Sequence, residues 1–325
     1  MATSGSFNYS LTAAGIIEMA LENLGIVNAG GTVSSNDSTL MLRRLNVIAK
    51  QFQGTADGMA GMKVWTRERV TLFLAAGQQR YLIGPASTDA RATTSYGRTT
   101  ISADEASGQS DISITSNEDT TTVPGTTITM TSGDFVAIEL NNGVLHWSTI
   151  SGTPTTVMTI VSGISAAASA GRYVYWFTNR AQKFPVIEAA YLRDSNRNDM
   201  EIAVYRDFRA YDLGVVDKYA DGTPTAILVE PLRITTRVTL NSQPTDITDQ
   251  IVMVVLYPAE DYDATTDDIA FPQEWLRPLA WQLSFEAAPA FSRQWTPEME
   301  KNRTESLQIA RNINPETSDL YFQPG

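Results

Sequence analysis

The densest group of side chains that could bind a cation is the carboxylate cluster EDYDATTDD, from Glu260 to Asp268. A calcium loop of the EF-hand type needs oxygen ligands at alternating positions, a glycine at the sixth position and a glutamate at the twelfth. Counted from Asp261, the sixth residue is Thr266 and the twelfth is Pro272. The cluster therefore predicts a solvated acidic connector, and its negative charge would favour the N-terminus of a following helix.

The other side chains do not indicate catalysis. His146 is the only histidine and the chain has no cysteine, which excludes disulfides, thiolate metal sites and cysteine nucleophiles. His146 precedes Trp147 on a candidate strand, so we expect an exposed histidine beside a core tryptophan. The GxxxxGK[ST] and GxGxxG motifs are missing, and no spacing singles out a carboxylate pair for glycoside hydrolysis. We expect no enzyme activity, no cofactor and no metal site.

The chain is acidic, since 24 Lys+Arg against 36 Asp+Glu leave a formal net charge of −12. Affinity for nucleic acid needs clustered cations that displace counterions, so this composition suits a surface that must not adhere to DNA. The first residues, MATSGSFNYSLTAAG, contain no basic segment and no long apolar run, so we expect no signal peptide. No segment approaches the roughly 20 apolar residues that span a bilayer, so we expect no membrane association.

Residues 10–54 predict two helices. Ser10 is a candidate cap for the first helix, because a serine oxygen can accept a hydrogen bond from a free N–H group. The second helix has one apolar stripe at helical spacing, formed by Met41, Leu45, Ile48 and Phe52. Residues 63–84 contain two alternating segments joined by AAGQQ, and this pattern predicts a β-hairpin.

Between residues 98 and 178 the chain becomes rich in Thr, Ser and Gly and contains short alternating segments. Asn142-Gly143 lies between two of them, DFVAIEL and VLHWSTI, and is a strong hairpin signal. This stretch predicts an antiparallel β-sandwich or barrel. Further along, IVMVVLY is a continuous apolar run, which is typical of a central strand in a sheet.

The fold class predicted from these elements is α+β. A discontinuous core domain, residues 1–97 and 179–325, would contain the N- and C-terminal helices and a mixed β region. An all-β domain, residues 98–178, would be inserted into it, because the mixed helix and strand pattern that precedes residue 98 resumes after residue 178.

Two tryptophans on a long C-terminal helix suggest more than one contact surface. The helix is predicted from Pro272, and Pro278 inside it predicts a kink or an early break. Trp275 and Leu279 share a face, whereas Trp281 lies about 120° around the helix from Trp275. One tight core explains one tryptophan, so the other suggests contact with another subunit.

The C-terminal segment contains the apolar cluster Leu320-Tyr321-Phe322 in otherwise polar sequence. Chain ends are usually frayed unless they are docked. Two alternatives stay open: the cluster packs on its own domain, or it docks on another chain.

The order of these pieces resembles the head-to-tail adaptor (connector) family of tailed bacteriophages. The resemblance covers most of the chain. Besides the N-terminal helix pair, three segments carry it: MEIAVYRDFRAYDLGVVDKYADGTPTAILVEP with Tyr211 and Lys218, YPAEDYDATTDDIAFPQEWLRPLAWQLSFEAAPAF, and the ending SDLYFQP. The stretch DFVAIELNNGVLHWSTISGT looks like a β-domain inserted in several such phage proteins. Pro278 departs from the family pattern.

The resemblance implies a ring, usually dodecameric, seated beneath the portal protein and joined to tail or nozzle proteins. Such a ring lines the DNA exit channel of the virion at the head–tail junction, is assembled in the host cytoplasm and does not read DNA sequence. The residues implied at subunit or portal interfaces are Trp275, Leu279, Trp281, Leu320, Tyr321 and Phe322. We further expect the channel surface to be net negative, so that it repels DNA phosphates.

Two other functions stay open. A receptor- or glycan-binding tail protein could use Trp147, Tyr173, Tyr175 and Trp176 of the β-insert as an aromatic platform, provided that several of these rings are exposed on one face. A virion-associated glycoside hydrolase would need an Asp/Glu pair.

Overall fold

The computed structural model describes residues 9–28, 30–52, 66–84, 91–122, 125–194, 197–218, 220–245, 248–257 and 260–313. The chain divides into two compact units. The helical unit comprises Met1–Thr66 and Pro258–Gly325, and the β unit comprises Arg67–Tyr257. Within the described ranges, no helix combines the length and the apolar character needed to cross a membrane.

The described part of the chain contains five helices: α1 (Ala13–Asn23), α2 (Ser35–Gln51), α3 (Phe208–Gly214), α4 (Gln273–Ala287) and α5 (Pro297–Ile313). Helix α1 starts two residues later than predicted, because Thr12 rather than Ser10 accepts the hydrogen bond from the backbone N–H of Gly15. The apolar stripe predicted for α2 is confirmed, since Met41, Leu45 and Ile48 are buried.

The core of the helical unit lies where α1 and α2 pack against α4. Its buried residues include Ile16, Ile17, Leu21, Met41, Leu45, Ile48, Trp275, Leu279 and Leu283. Ser284 of α4 links it to α1 by donating a hydrogen bond to the Ala20 carbonyl at 3.1 Å. Packing between helices that are distant in sequence therefore closes this discontinuous unit.

Helix α4 continues through Pro278 to Ala287, so the predicted early break is wrong. A proline in a helix removes one hydrogen bond, in this case to the carbonyl of Glu274. Pro278 is itself buried, as are its neighbours Trp275 and Leu279. Burying these three side chains, at about 1.5–3 kcal/mol for a large apolar side chain, offsets the roughly 3 kcal/mol that a proline costs inside a helix.

The described strands are β1 (Thr66–Phe73), β2 (Arg80–Ile83), β3 (Ala92–Thr93), β4 (Gly97–Thr100), β5 (Asp111–Ser113), β6 (Glu118–Asp119), β7 (Ile128–Thr129), β8 (Phe135–Glu139), β9 (Leu145–Ser151), β10 (Val157–Ile160), β11 (Tyr173–Phe177), β12 (Val186–Arg193), β13 (Asp199–Glu201), β14 (Ala203–Tyr205), β15 (Ala226–Pro231), β16 (Thr236–Leu240) and β17 (Gln250–Tyr257). They form three larger sheets and the short β6–β7 pair.

Six strands between Gly97 and Phe177 form one antiparallel sheet in the order β4-β11-β8-β9-β10-β5. The two edges of this sheet meet again at an antiparallel bridge between Ile101 and Ile114. The result is a partly closed barrel, called the barrel below, around an apolar interior that includes Trp176. The Asn142-Gly143 turn joins β8 to β9, and this predicted hairpin is confirmed.

Apart from the β6–β7 pair, the remaining strands form a two-sheet sandwich, called the sandwich from here on. One sheet has the order β13-β12-β17-β1-β3 and the other β14-β15-β16-β2, and the two share one apolar core. The central place of β17 is confirmed. The hairpin predicted over residues 63–84 is wrong, because β1 and β2 belong to facing sheets and their alternating apolar residues fill the core between them.

The chain is α+β, as predicted. The predicted helical core, built on the N- and C-terminal helices, is not confirmed, because strands dominate and the β unit takes up more than half of the 325 residues. Residues 179–257, which the sequence prediction placed with the helices, pack with β1–β3 in the sandwich. Residues 179–257 belong to the β unit because their strands pair with strands that are distant in sequence.

Candidate functional site

Trp275 and Leu279 lie inside the helical unit, at 2% and 0% exposure. Their predicted common face is confirmed, and it is directed toward the core formed with α1 and α2. Their side chains are covered within the subunit. If these two residues contribute to an interface, they would do so indirectly, by fixing the shape of the helical unit.

Trp281 lies on a different side of α4, as its spacing predicts, and is half-buried. It contacts Trp295 of the same chain edge to face, with ring centroids 6.3 Å apart. Phe285 contacts Trp295 from the next turn at 5.2 Å. The Arg303 guanidinium covers the Phe285 ring at 4.7 Å. These contacts join α4 to the segment that leads into α5, and sequence analysis did not foresee that Trp295 would be the partner of Trp281.

Glu300 organises the start of α5. Its carboxylate accepts hydrogen bonds from the Trp295 indole at 2.9 Å and from the Arg303 guanidinium at 2.6 and 3.0 Å. The hydrogen bonds from Arg303 and then from Trp295 lower the pKa of Glu300 from 4.5 to about 2. The spacing of Glu300 and Arg303, three residues apart on one helix, is the signal in the sequence that indicates this pair.

The acidic connector packs onto the start of α1. Asp267 accepts hydrogen bonds from the backbone N–H groups of Asp263 and Ala264, both at 2.8 Å. The Asp267 carbonyl in turn accepts one from Ala13 at 2.8 Å. Among the described side chains no group of three His, Cys, Asp or Glu could hold a metal ion. The Asp267 carboxylate therefore caps backbone groups of the connector.

The aromatic side chains of the barrel do not form an open platform. Trp176 and Tyr175 are 0% and 3% exposed, while Trp147 and Tyr173 are half-buried. Phe73 of the sandwich inserts between them, at 5.1 Å from Tyr175 and 5.7 Å from Trp147. Burial raises the pKa of the Tyr175 hydroxyl. These rings attach the barrel to the sandwich.

His146 and Trp147 are both half-buried, whereas an exposed histidine beside a core tryptophan was predicted. The His146 Nε2 atom lies 3.0 Å from the Ser162 carbonyl oxygen. The neighbouring Ser148 hydroxyl is 2.9 Å from the Ser162 hydroxyl. The histidine ring thus contacts a backbone carbonyl, and this arrangement provides no activated nucleophile.

The segment around α3 carries an exposed apolar surface that sequence analysis missed. Phe208, Leu213 and Val216 are 59%, 75% and 98% exposed. We call these three residues the α3 patch. The three lie within nine residues of one another along the chain, and exposed large apolar side chains are candidate residues for a protein contact. Spacing alone could not identify the patch, because so short a helix has no clear periodicity.

Two inward side chains hold α3 in place. Tyr211 and Val215 are buried against Leu228, and the Tyr211 hydroxyl donates to the Leu240 carbonyl at 2.8 Å. Lys218 pairs with Asp212 at 3.2 Å. Tyr211 and Val215 anchor this segment to the sandwich, while the three residues of the α3 patch stay exposed.

Leu320, Tyr321 and Phe322, which the sequence analysis placed at an interface, lie outside the described residues. Comparison with protein-family models finds no match for this chain, and comparison with curated proteins finds none.

Proposed function

We propose that this chain is a structural protein of a tailed-bacteriophage virion, a head-to-tail adaptor. In this proposal it assembles as a ring, dodecameric by analogy with the family it resembles, beneath the portal protein. The ring joins the capsid to tail or nozzle proteins and surrounds the channel through which DNA leaves.

The α3 patch is the observation that carries this proposal. Phe208, Leu213 and Val216 are exposed in MEIAVYRDFRAYDLGVVDKYADGTPTAILVEP, one of the segments that carry the resemblance to the family. A neighbouring copy of this chain is the partner that the proposal assigns to the patch, since a ring is built from repeated contacts between identical subunits. Burying these side chains between subunits would supply hydrophobic stabilisation that the isolated chain lacks.

The charge of the chain supports the same proposal. A net charge of −12 suits a protein that lets DNA pass without holding its phosphates. We expect the acidic side chains to predominate on the channel surface of the ring. A channel surface with a net positive charge would count against this.

The receptor- or glycan-binding alternative has no specific observation in its favour. It requires several exposed rings on one face of the barrel, whereas Tyr175 and Trp176 are buried. A glycoside hydrolase lacks support as well, because the Asp267 carboxylate is engaged by the backbone N–H groups of Asp263 and Ala264 within the connector.

Electron microscopy of this protein, alone and mixed with the portal protein of its own genome, tests the proposal. We expect rings that cap the portal. Subunits that assemble only on the portal would also support the adaptor function and would show that the portal templates the ring. Failure to bind the portal under both conditions would overturn it. Deletion of residues 318–325 then tests the predicted contribution of the C-terminal segment to portal binding.

A further inference from the structure

The outer side of α2 contains an apolar groove in the helical unit. Leu40 and Val47 are seven residues apart, so they lie on the same side of the helix, and they are 36% and 55% exposed. A cavity of about 310 Å³ lies over them and is also lined by Arg43, Arg44 and Glu286. Val47 also lines a second depression, which Lys50 borders. We call Leu40, Arg43, Arg44, Val47 and Lys50 the α2 groove.

The α2 groove is positive in a chain that is strongly negative. Arg43 is exposed, and Arg44 donates to the backbone carbonyl of Glu286. Lys50 pairs with Asp261 at 3.0 Å. Three cationic side chains thus face two carboxylates, those of Glu286 and Asp261. The groove would favour a ligand that combines apolar side chains with negative charge.

Residues 314–325, NPETSDLYFQPG, have this character. They contain Glu316 and Asp319, no basic residue, and the apolar cluster Leu320-Tyr321-Phe322. They follow directly on α5, so the position of the end of α5 decides which surfaces they can reach.

Helix α5 packs along α4 and runs back toward the beginning of α4. Arg303 of α5 donates to the Gln282 side chain of α4 at 2.9 Å. In this antiparallel pair, residues beyond Arg303 approach the beginning of α4. There Phe271 contacts Phe52, with ring centroids 6.5 Å apart, and Phe52 immediately follows α2. The end of α5 is thus directed toward the beginning of α4, which is also where the chain after α2 contacts Phe271.

The segment is long enough to fill the groove. Leu320 lies seven residues after Ile313, a reach of roughly 23 Å for extended chain at about 3.3 Å per residue. From Gln51 back to Leu40, α2 spans eleven residues, or about 17 Å at 1.5 Å per residue.

We propose that in the free subunit residues 314–325 lie along the α2 groove of the same chain. Leu320, Tyr321 and Phe322 cover Leu40 and Val47, and the acidic side chains of the segment lie near Arg43 and Arg44. This inference is independent of the proposed function, because neither a ring nor a portal enters it.

The absence of native cysteine allows a direct test in the full chain. The variant Val47→Cys/Leu320→Cys places one thiol in the groove and one on the segment. The control Ile309→Cys/Leu320→Cys uses an exposed residue of α5 that is closer in sequence, so an undocked segment would meet it more often. Docking raises the effective concentration of the thiol at position 320 around position 47. We therefore expect the intrachain disulfide of the Val47→Cys/Leu320→Cys variant to form about tenfold faster than that of the control.

Two outcomes of this cross-linking would overturn the proposal. Equal or faster closure of the Ile309 pair would show that the segment does not favour the groove. Covalent dimers in place of intrachain disulfides would show that a second copy supplies the segment. A non-reducing gel distinguishes intrachain disulfides from covalent dimers.

A charge reversal tests the role of the basic side chains. Arg43→Glu, added to the Val47→Cys/Leu320→Cys variant, should slow closure several-fold, whereas Arg209→Glu, at an exposed position of α3, should leave the rate unchanged. Equal slowing by both would assign the effect to net charge and overturn the proposal. In the chain without engineered cysteines, Val47→Lys should accelerate hydrogen exchange of amides 314–325, and unchanged exchange would count against docking.

Discussion

Trp176 lies directly over Gly97 across the β4–β11 pair, so closely that a Cβ atom at position 97 would be 2.1 Å from Cζ2 of the indole. The ring is fully buried and fills the interior of the barrel. The tryptophan can occupy this position only because residue 97 has no side chain. The contact ties the first strand of the barrel to its last.

Gly97→Ala should therefore destabilise the β unit. We expect a loss of about 1–3 kcal/mol, the usual cost of overpacking a filled core, measured as a lower urea midpoint. Gly15→Ala is the matched control, since its added methyl would meet only the flexible Leu11 side chain at 3.3 Å, and alanine favours a helix by about 1 kcal/mol over glycine. An unchanged midpoint for Gly97→Ala would contradict the close packing of Trp176 on residue 97.

Substitutions of Trp275 and Trp281 should affect stability and assembly differently. Trp275→Ala removes a fully buried ring and should cost about 3–5 kcal/mol in the free energy of unfolding. Trp281→Ala removes a half-buried ring and should cost about 1 kcal/mol. Urea titration of the isolated chain measures both. If Trp281 also contacts an adjacent subunit, its replacement should reduce ring formation on the portal while the subunit stays folded. Equal destabilisation by the two substitutions would contradict the burial described.

Acid should weaken the contact between Trp295 and α5 through Glu300. Since folding lowers the pKa of Glu300 from 4.5 to about 2, this stabilisation is present above pH 4.5 and is lost as the pH falls toward 2. Carboxyl NMR titration should place its midpoint near the lowered value, and tryptophan fluorescence should follow the release of Trp295. A midpoint at the usual value would disprove the assignment.

Matched variants identify the source of this acid response. Glu300→Gln should remove the fluorescence transition, because a neutral amide cannot form the charged pair with Arg303. Glu305→Gln serves as the control, since its pair with Lys301, at 3.6 Å, is largely exposed and such pairs contribute little. Loss of the transition in both variants would point to a general effect of charge.

The α3 patch should matter for assembly and little for folding. Leu213→Asp/Val216→Asp changes two side chains that are 75% and 98% exposed, so the urea midpoint of the isolated chain should shift little. Under the proposed function, rings on the portal should be lost, because two charges would be buried between subunits. Val161→Asp, at a position on the barrel that is 72% exposed, should leave rings intact. Intact rings in the double variant would remove the patch from the subunit interface.

Local patterns predicted most of the elements correctly. The stripe of Met41, Leu45 and Ile48, the shared face of Trp275 and Leu279, and the Asn142-Gly143 turn each depend on residues a few positions apart. Backbone geometry converts such spacing into a side-chain direction, so each prediction needed no knowledge of the rest of the chain.

By itself, the sequence determined the α+β class, the faces of the helices and the central place of β17. Only the tertiary structure decided that β1 and β2 enter facing sheets, that Pro278 is tolerated within α4, that Trp281 meets Trp295, and that Phe208, Leu213 and Val216 are left at the surface. The physical reason is that periodicity is a local property, whereas partner choice depends on which distant segments bury each other's apolar surface.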